Sequence, residues 1–349
     1  MKEQVRMLMR NPVLVENREL WFSRLKNLFD GEYQGPIALN GRVGRHSGSL
    51  ACPDQCDILH NNPERALEIG LEDLAEQIEA TREKTDYMFV PYVLEADWYG
   101  VHFVDKIFGA PVFYDYDARQ WYNRYIKTEI GMLQKPDLET SEPWRMARKY
   151  AEAFLQLDVT VPLLGMPVLS SPLNIAINLY GPDMLIAMIE EPEAAAHDFA
   201  VINDVIMDLH HWYITNIPRE RLQPTVAPWR TQPYGFGLLC GCSTHLVSPR
   251  LYEELVMQHD DALLAQYPNG GMIHLCGNHK HLIPLFADMP HLRAVQLNDL
   301  AADHLEYYVK GLREDQVIYF SPTKNMPFEE SLSVSRGKRM VYCGDYKFK

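Results

Sequence analysis

Gly271-Met-Ile-His-Leu-Cys276, Ala294-Val-Gln-Leu-Asn-Asp299 and Val317-Ile-Tyr-Phe-Ser-Pro322 decide how this chain folds. Each is a short apolar run that ends in polar residues, glycine or proline, and Arg339-Met-Val-Tyr-Cys-Gly344 repeats the form. Runs of this length bounded by turn residues read as buried parallel strands. Helical patterns alternate with them: Leu67, Leu71, Leu74 and Ile78 share one face, as do Phe199, Ile202, Val205, Ile206 and Leu209. Ser248-Pro249 supplies an N-cap and a first helical residue. No linker, charge block or repeat divides the 349 residues, so the alternation predicts a single (β/α)8 TIM-like barrel. An open doubly wound sheet is the competing α/β arrangement. The first credible strand is Pro36-Ile-Ala-Leu-Asn40, which makes residues 1–34 an N-terminal helical arm and 35–349 the barrel.

Composition narrows the function. With 33 basic against 47 acidic residues the net charge is −14, which disfavours a nucleic-acid footprint or a polybasic membrane surface. Six cysteines are too few for a secreted disulfide scaffold, and the N-terminal residues lack the apolar core of a signal peptide. Val159 to Pro182 carries no charge, but Pro162, Pro167 and Pro172 interrupt it and Ser170, Ser171, Asn174 and Asn178 add polarity. It reads as a buried strand, a loop and a helix start, not a membrane span. A soluble, cytoplasmic protein with reduced thiols is predicted.

The chemistry concentrates at His274-Leu-Cys276. Positions i and i+2 of a strand face one way, so an imidazole and a thiol point together at the strand end, where barrel enzymes place their sites. Cys343, also at a strand end before a glycine, offers a third soft ligand. Two thiolates and a neutral imidazole suit Zn²⁺ and leave one coordination position open. On spacing alone the alternative stands: two ordinary buried thiols and a hydrogen-bonded core histidine.

Gly270-Gly-Met-Ile-His-Leu-Cys-Gly-Asn278, followed far along the chain by Val341-Tyr-Cys-Gly344, resembles the uroporphyrinogen decarboxylase superfamily, and most closely its zinc-dependent methyltransferase branch with a His-x-Cys…Cys pattern. Phe108-Gly-Ala-Pro-Val112, Ser171 to Gly181, Glu191-Pro-Glu193 and Leu246-Val-Ser-Pro-Arg-Leu-Tyr252 resemble further family segments in the right order. The resemblance implies a β/α barrel, Zn²⁺ on His274, Cys276 and Cys343, and methyl transfer between a small molecule or thiol and cobalamin carried by a separate corrinoid protein. Methoxyaromatic, methylamine, methanol and methylthiol compounds all fit as donors. Asp208-Leu-His210 imitates the start of a cobalamin motif, but Tyr213 replaces its glycine, so the segment reads as helix surface. Gly41-Arg-Val-Gly-Arg45 only faintly echoes the arginine-rich signature of the founding decarboxylases, and Cys343-Gly-Asp345 replaces their late Gly-His-Gly. A metal-independent decarboxylase-like lyase is therefore the alternative activity, and a non-catalytic corrinoid-binding scaffold a third.

Other polar residues gather at strand ends. Glu95 and Asp97 could orient a substrate or deliver a proton, or instead pair with His102 or Lys106; Asn298 and Asp299 could reach the barrel mouth. Cys240-Gly-Cys242 with His245 forms a second soft cluster able to line the pocket or supply a ligand. His279 and His281 read as solvent-facing, and Cys52-Pro-Asp-Gln-Cys56 as a polar loop with unpaired thiols.

Overall fold

The computed structural model describes residues 2–33, 35–40, 53–96, 98–225 and 227–348. Gly41 to Arg45, Cys52 and Asp97 lie outside the described residues. The strands are β1 (Ile37–Leu39), β2 (Val93–Leu94), β3 (Val112–Asp115), β4 (Gln120–Asn123), β5 (Leu163–Gly165), β6 (Leu222–Gln223), β7 (Gly237–Cys240), β8 (Gly271–Leu275), β9 (Leu292–Leu297), β10 (Val317–Phe320) and β11 (Met340–Cys343). A six-stranded sheet runs in the order β1-β11-β10-β9-β8-β7 and a three-stranded one in the order β2-β5-β6. All pairs in both are parallel, and β3 and β4 form a separate antiparallel hairpin.

Single bridges link the two parallel sheets, Leu39 with Phe89 at one end and Ser170 with Cys240 at the other. The result is barrel-like, and it differs from an eight-stranded closed ring. Nine strands are parallel, and no ladder joins β6 to β7 among the described residues. One departure is local. Tyr92 sits in the left-handed region at φ 56, between a single bridge at Phe89 and the two-residue β2. Helices fill the connections; the predicted faces of Pro63–Thr81 and Pro192–Asn216 are the buried ones. Ser248 caps Pro249–Leu255, its Oγ accepting from the Leu251 amide at 3.3 Å. Cys56 belongs not to a loop but to the helix Pro53–Asn61, and it is buried. Among the described residues no helix is long and apolar enough to cross a membrane.

Strand alternation divides the apolar residues into two cores. Ala38, Leu239, Ile273, Leu275, Val295, Leu297, Ile318 and Tyr342 pack toward the helices. Their neighbours Ile37, Leu39, Leu238, Met272, Ala294, Val317, Tyr319 and Val341 pack inward. The helix Pro12–Asp30, within the predicted arm, closes this inner core. Asn11 caps it, Pro12 opens it and Gly31 ends it at φ 83, where a side chain would be strained. Its Trp21, Phe22, Leu25, Leu28 and Phe29 join the inner cluster. The Phe29 carbonyl accepts from Arg293 and Arg339, beside the starts of β9 and β11, so the helix plugs the N-terminal ends of the strands. Tyr346 stacks on Phe328 at 4.3 Å, covering Tyr342 from outside after β11.

The plug makes a stability prediction. Leu25 is fully buried, so Leu25→Ala leaves a cavity between helix and lumen and costs about 2–5 kcal/mol. Urea unfolding checks it through a lower midpoint at unchanged slope; an unaltered midpoint would mean the helix is dispensable to the core.

Candidate metal centre

Two aligned rows of inward-facing residues lead up to the site, and a third set follows where the strands end. Leu238, Met272, Ala294 and Val317 are mutual register partners and form an apolar floor. One step on, Cys240, His274, Gln296 and Tyr319 are register partners in the same way. Two residues further, the chain presents Cys242, Cys276, Asn298 and Ser321. The lumen therefore changes from apolar to polar within one pleat, at the C-terminal ends of the strands.

Cys242, His274 and Cys276 converge there, with one potential ligand atom from each lying within 4.8 Å of the others. Tetrahedral Zn²⁺ places such atoms roughly 3.5–3.8 Å apart, so a contraction of about 1 Å completes the fit. The donor set is also chemically right. His274 Nδ1 contacts Gln296 Oε1 at 2.5 Å, while Gln296 Nε2 donates to Asn298 Oδ1 at 2.6 Å and to Ser321 Oγ at 3.3 Å. Those donations fix the amide's orientation, so its oxygen faces His274 and the proton resides on Nδ1. Nε2 is left with its lone pair, as a metal ligand requires. Burial, then the nearby Arg230 cation, hold His274 well below the usual histidine range and keep it neutral. Between the thiols, Cys242 donates to the Cys276 sulfur, which lowers Cys276 and, together with burial, raises Cys242.

Arg230 stands beside this group. Its Nη2 lies 3.2 Å from His274 Nε2, its Nε donates to Gln296 Oε1 at 3.2 Å and its Nη1 to Cys240 Sγ at 3.7 Å. Cys343 is placed differently from expectation. It stands outside the group of three, its thiol donating to the Trp229 carbonyl at 3.4 Å and raised by burial to about 12. The turn Pro228–Arg230 contacts both, taking Cys343 on its backbone and His274 on its guanidinium. Among the described residues, Cys242 is the thiol that groups with His274 and Cys276 within 4.8 Å, where the sequence reading expects Cys343.

The loops bearing Cys242 and Cys276 are tied together by histidines. His279 is fully buried, not solvent-facing, with Nδ1 2.9 Å from the Gly277 carbonyl and Nε2 3.2 Å from that of Gly241. His245 Nδ1 meets the Cys242 carbonyl at 2.6 Å, and His281 Nε2 that of Val247 at 2.9 Å. Gly277 permits this closeness: a Cβ there would stand 2.5 Å from the His245 ring. Asp299 is exposed beside Cys276 and held at φ 47, and Asn298 enters through Gln296. Glu95 follows β2 on the other sheet, half-buried. His102 pairs with Asp105 at 2.6 Å. His210 is buried in its helix rather than on the surface, its Nδ1 2.6 Å from the Tyr267 hydroxyl. Arg230 and Gln296 were missed in the sequence. Gln296 had a signal, a polar residue inside an apolar strand two before Asn298, whereas Arg230 lies in a turn without periodicity.

Comparison with known proteins shows the fold. No protein-family profile matches the chain, and no curated protein matches it by sequence. Among solved structures it is similar to a methyltransferase from Methanosarcina mazei, with 13% identity, a TM-score of 0.58 and 93% of each chain covered.

His279 gives this scaffold a pH signature. Burial lowers it to about 4, against the pull of its two carbonyl contacts, whereas in the unfolded chain it titrates near ~6.5. Between those values the unfolded chain binds more protons, so stability falls as pH drops through the window. The cost of His279→Gln should accordingly shrink by roughly 2 kcal/mol from pH 7.5 to pH 5, measured by urea unfolding in chelator. An equal cost at both values would place the same charge on His279 folded and unfolded.

Proposed function

We propose that this chain is a zinc-dependent methyltransferase that moves a methyl group between a small molecule or thiol and the cobalamin of a separate corrinoid protein. The observation that carries the reading is the convergence of two thiols and a neutral imidazole at the C-terminal mouth of a barrel-like fold. Its likeness in fold to a methanogen methyltransferase supports it.

Cys242, His274 and Cys276 would hold the metal, with Gln296 fixing the imidazole tautomer and His279 joining the two thiol-bearing loops. Zn²⁺ at such a site supplies Lewis acidity and keeps a bound thiol as thiolate at neutral pH. The chain's own part is to present Cys276 in its more acidic form, to keep His274 unprotonated and to leave the mouth open to the partner. Asn298 and Asp299, next to the cluster, with Glu95 and Asp97 after β2, are assigned to orienting the substrate. Cys343 is the competing third ligand.

Mass-spectrometric metal analysis of protein purified in zinc should give about one zinc per chain, and Cys276→Ser should lose both zinc and thiol methylation from methylcobalamin. Full activity in zinc-free wild type would sink the reading. Cys242→Ser and Cys343→Ser separate the third ligand: zinc affinity falls roughly 100-fold or more in the variant that removes it and within a few-fold in the other. Stepwise loss of carboxylates from a porphyrinogen, without metal, would favour the lyase instead.

A further inference from the structure

The guanidinium of Arg230 lies against the one atom of His274 that a metal needs. Gln296 Oε1 faces both His274 Nδ1, at 2.5 Å, and Arg230 Nε, at 3.2 Å, so Arg230 and His274 are locked edge to edge through one acceptor. With the proton on Nδ1, the Nε2 lone pair accepts from Arg230 Nη2 at 3.2 Å. Cys240 Sγ takes Nη1 at 3.7 Å on the far side. Arg230 is half-buried, and its hydrogen bonds go to an amide oxygen, an imidazole and a thiol, none of them a carboxylate. A half-buried cation whose hydrogen-bond partners are neutral is held by geometry more than by charge.

We infer that Arg230 is a latch on the metal centre: it occupies the metal-binding lone pair of His274 in the metal-free protein and must swing away for the site to load. This rests on the metal reading of Cys242, His274 and Cys276 and concerns how that site is filled. The latch works against loading twice, because its hydrogen bond must break and because a positive charge sits where a cation is to enter. The Arg230 charge also lies close enough to Cys276 and Cys242 to pull both thiols down. Arg230 is thus a positioning residue, acting through His274.

A role as mere scaffold and a role as latch predict opposite signs. If Arg230 only supported the cluster, removing it would loosen the site and weaken zinc. As a latch, its removal strengthens zinc binding by roughly ten- to a hundredfold, the equivalent of one charge-assisted hydrogen bond, and speeds loading. Zinc affinity and loading rate are read by competition with a chromogenic chelator in wild type, Arg230→Ala and Arg230→Lys. Arg230→Lys keeps the charge but cannot span three partners, so it should fall between the other two. Arg230→Gln serves if the alanine variant does not fold, with the same direction expected. One equivalent of zinc bound with unchanged or weaker affinity in Arg230→Ala overturns the latch alone. No zinc in either wild type or variant overturns the metal reading, and the latch with it.

Discussion

The two-residue period of a parallel strand is the constraint on which the rest of this molecule depends. It sends Ile273, Val295 and Ile318 out to the helices and Met272, Ala294 and Val317 into the lumen. The same period then lifts His274, Gln296 and Tyr319 into one row above that apolar floor. A slip of one residue in β8 would turn His274 and Cys276 outward and bring Ile273 and Leu275 into the lumen. Helix Pro12–Asp30 closes the opposite end with aromatic residues, so the lumen has a dry bottom and a polar top.

That polarity is arranged around one amide. Gln296 accepts from His274 and Arg230 through its oxygen and donates to Asn298 and Ser321 through its nitrogen. Four neighbours, one on β8, two just past the ends of β9 and β10 and one on a turn, are oriented by a single side chain at 0% exposure. An apolar replacement would leave each with an unmet hydrogen bond in a buried setting, which makes Gln296 the most sensitive position in the site that ligates nothing. The softness of the cluster follows from its other members: two thiols, one made more acidic by the other, and an imidazole that burial keeps neutral.

Much of this was legible in the sequence, and the failures have physical causes. The late strands and the buried helix faces followed from periodicity because each is long enough to show a period. His274 and Cys276 were legible together because i and i+2 on a strand must point alike. The second thiol of the group was not. Cys343 ends β11 and Cys242 follows β7, two strand ends that look alike in sequence; in the fold Cys242 groups with His274 and Cys276 while Cys343 donates to the Trp229 carbonyl. Strand number failed at β2 and β6, two residues long, where local backbone conformation outweighs composition. His279 and His210 looked like surface residues because histidine is polar, yet each is buried where a hydrogen-bonding group can reach its ring.

The central claim is that Cys242, His274 and Cys276 form a soft metal site with one position to spare. X-ray absorption at the zinc edge on the loaded protein tests it most directly. Two sulfur neighbours near ~2.3 Å and one imidazole, with a fourth light atom, are the predicted shell. A shell of nitrogen and oxygen alone would contradict the account.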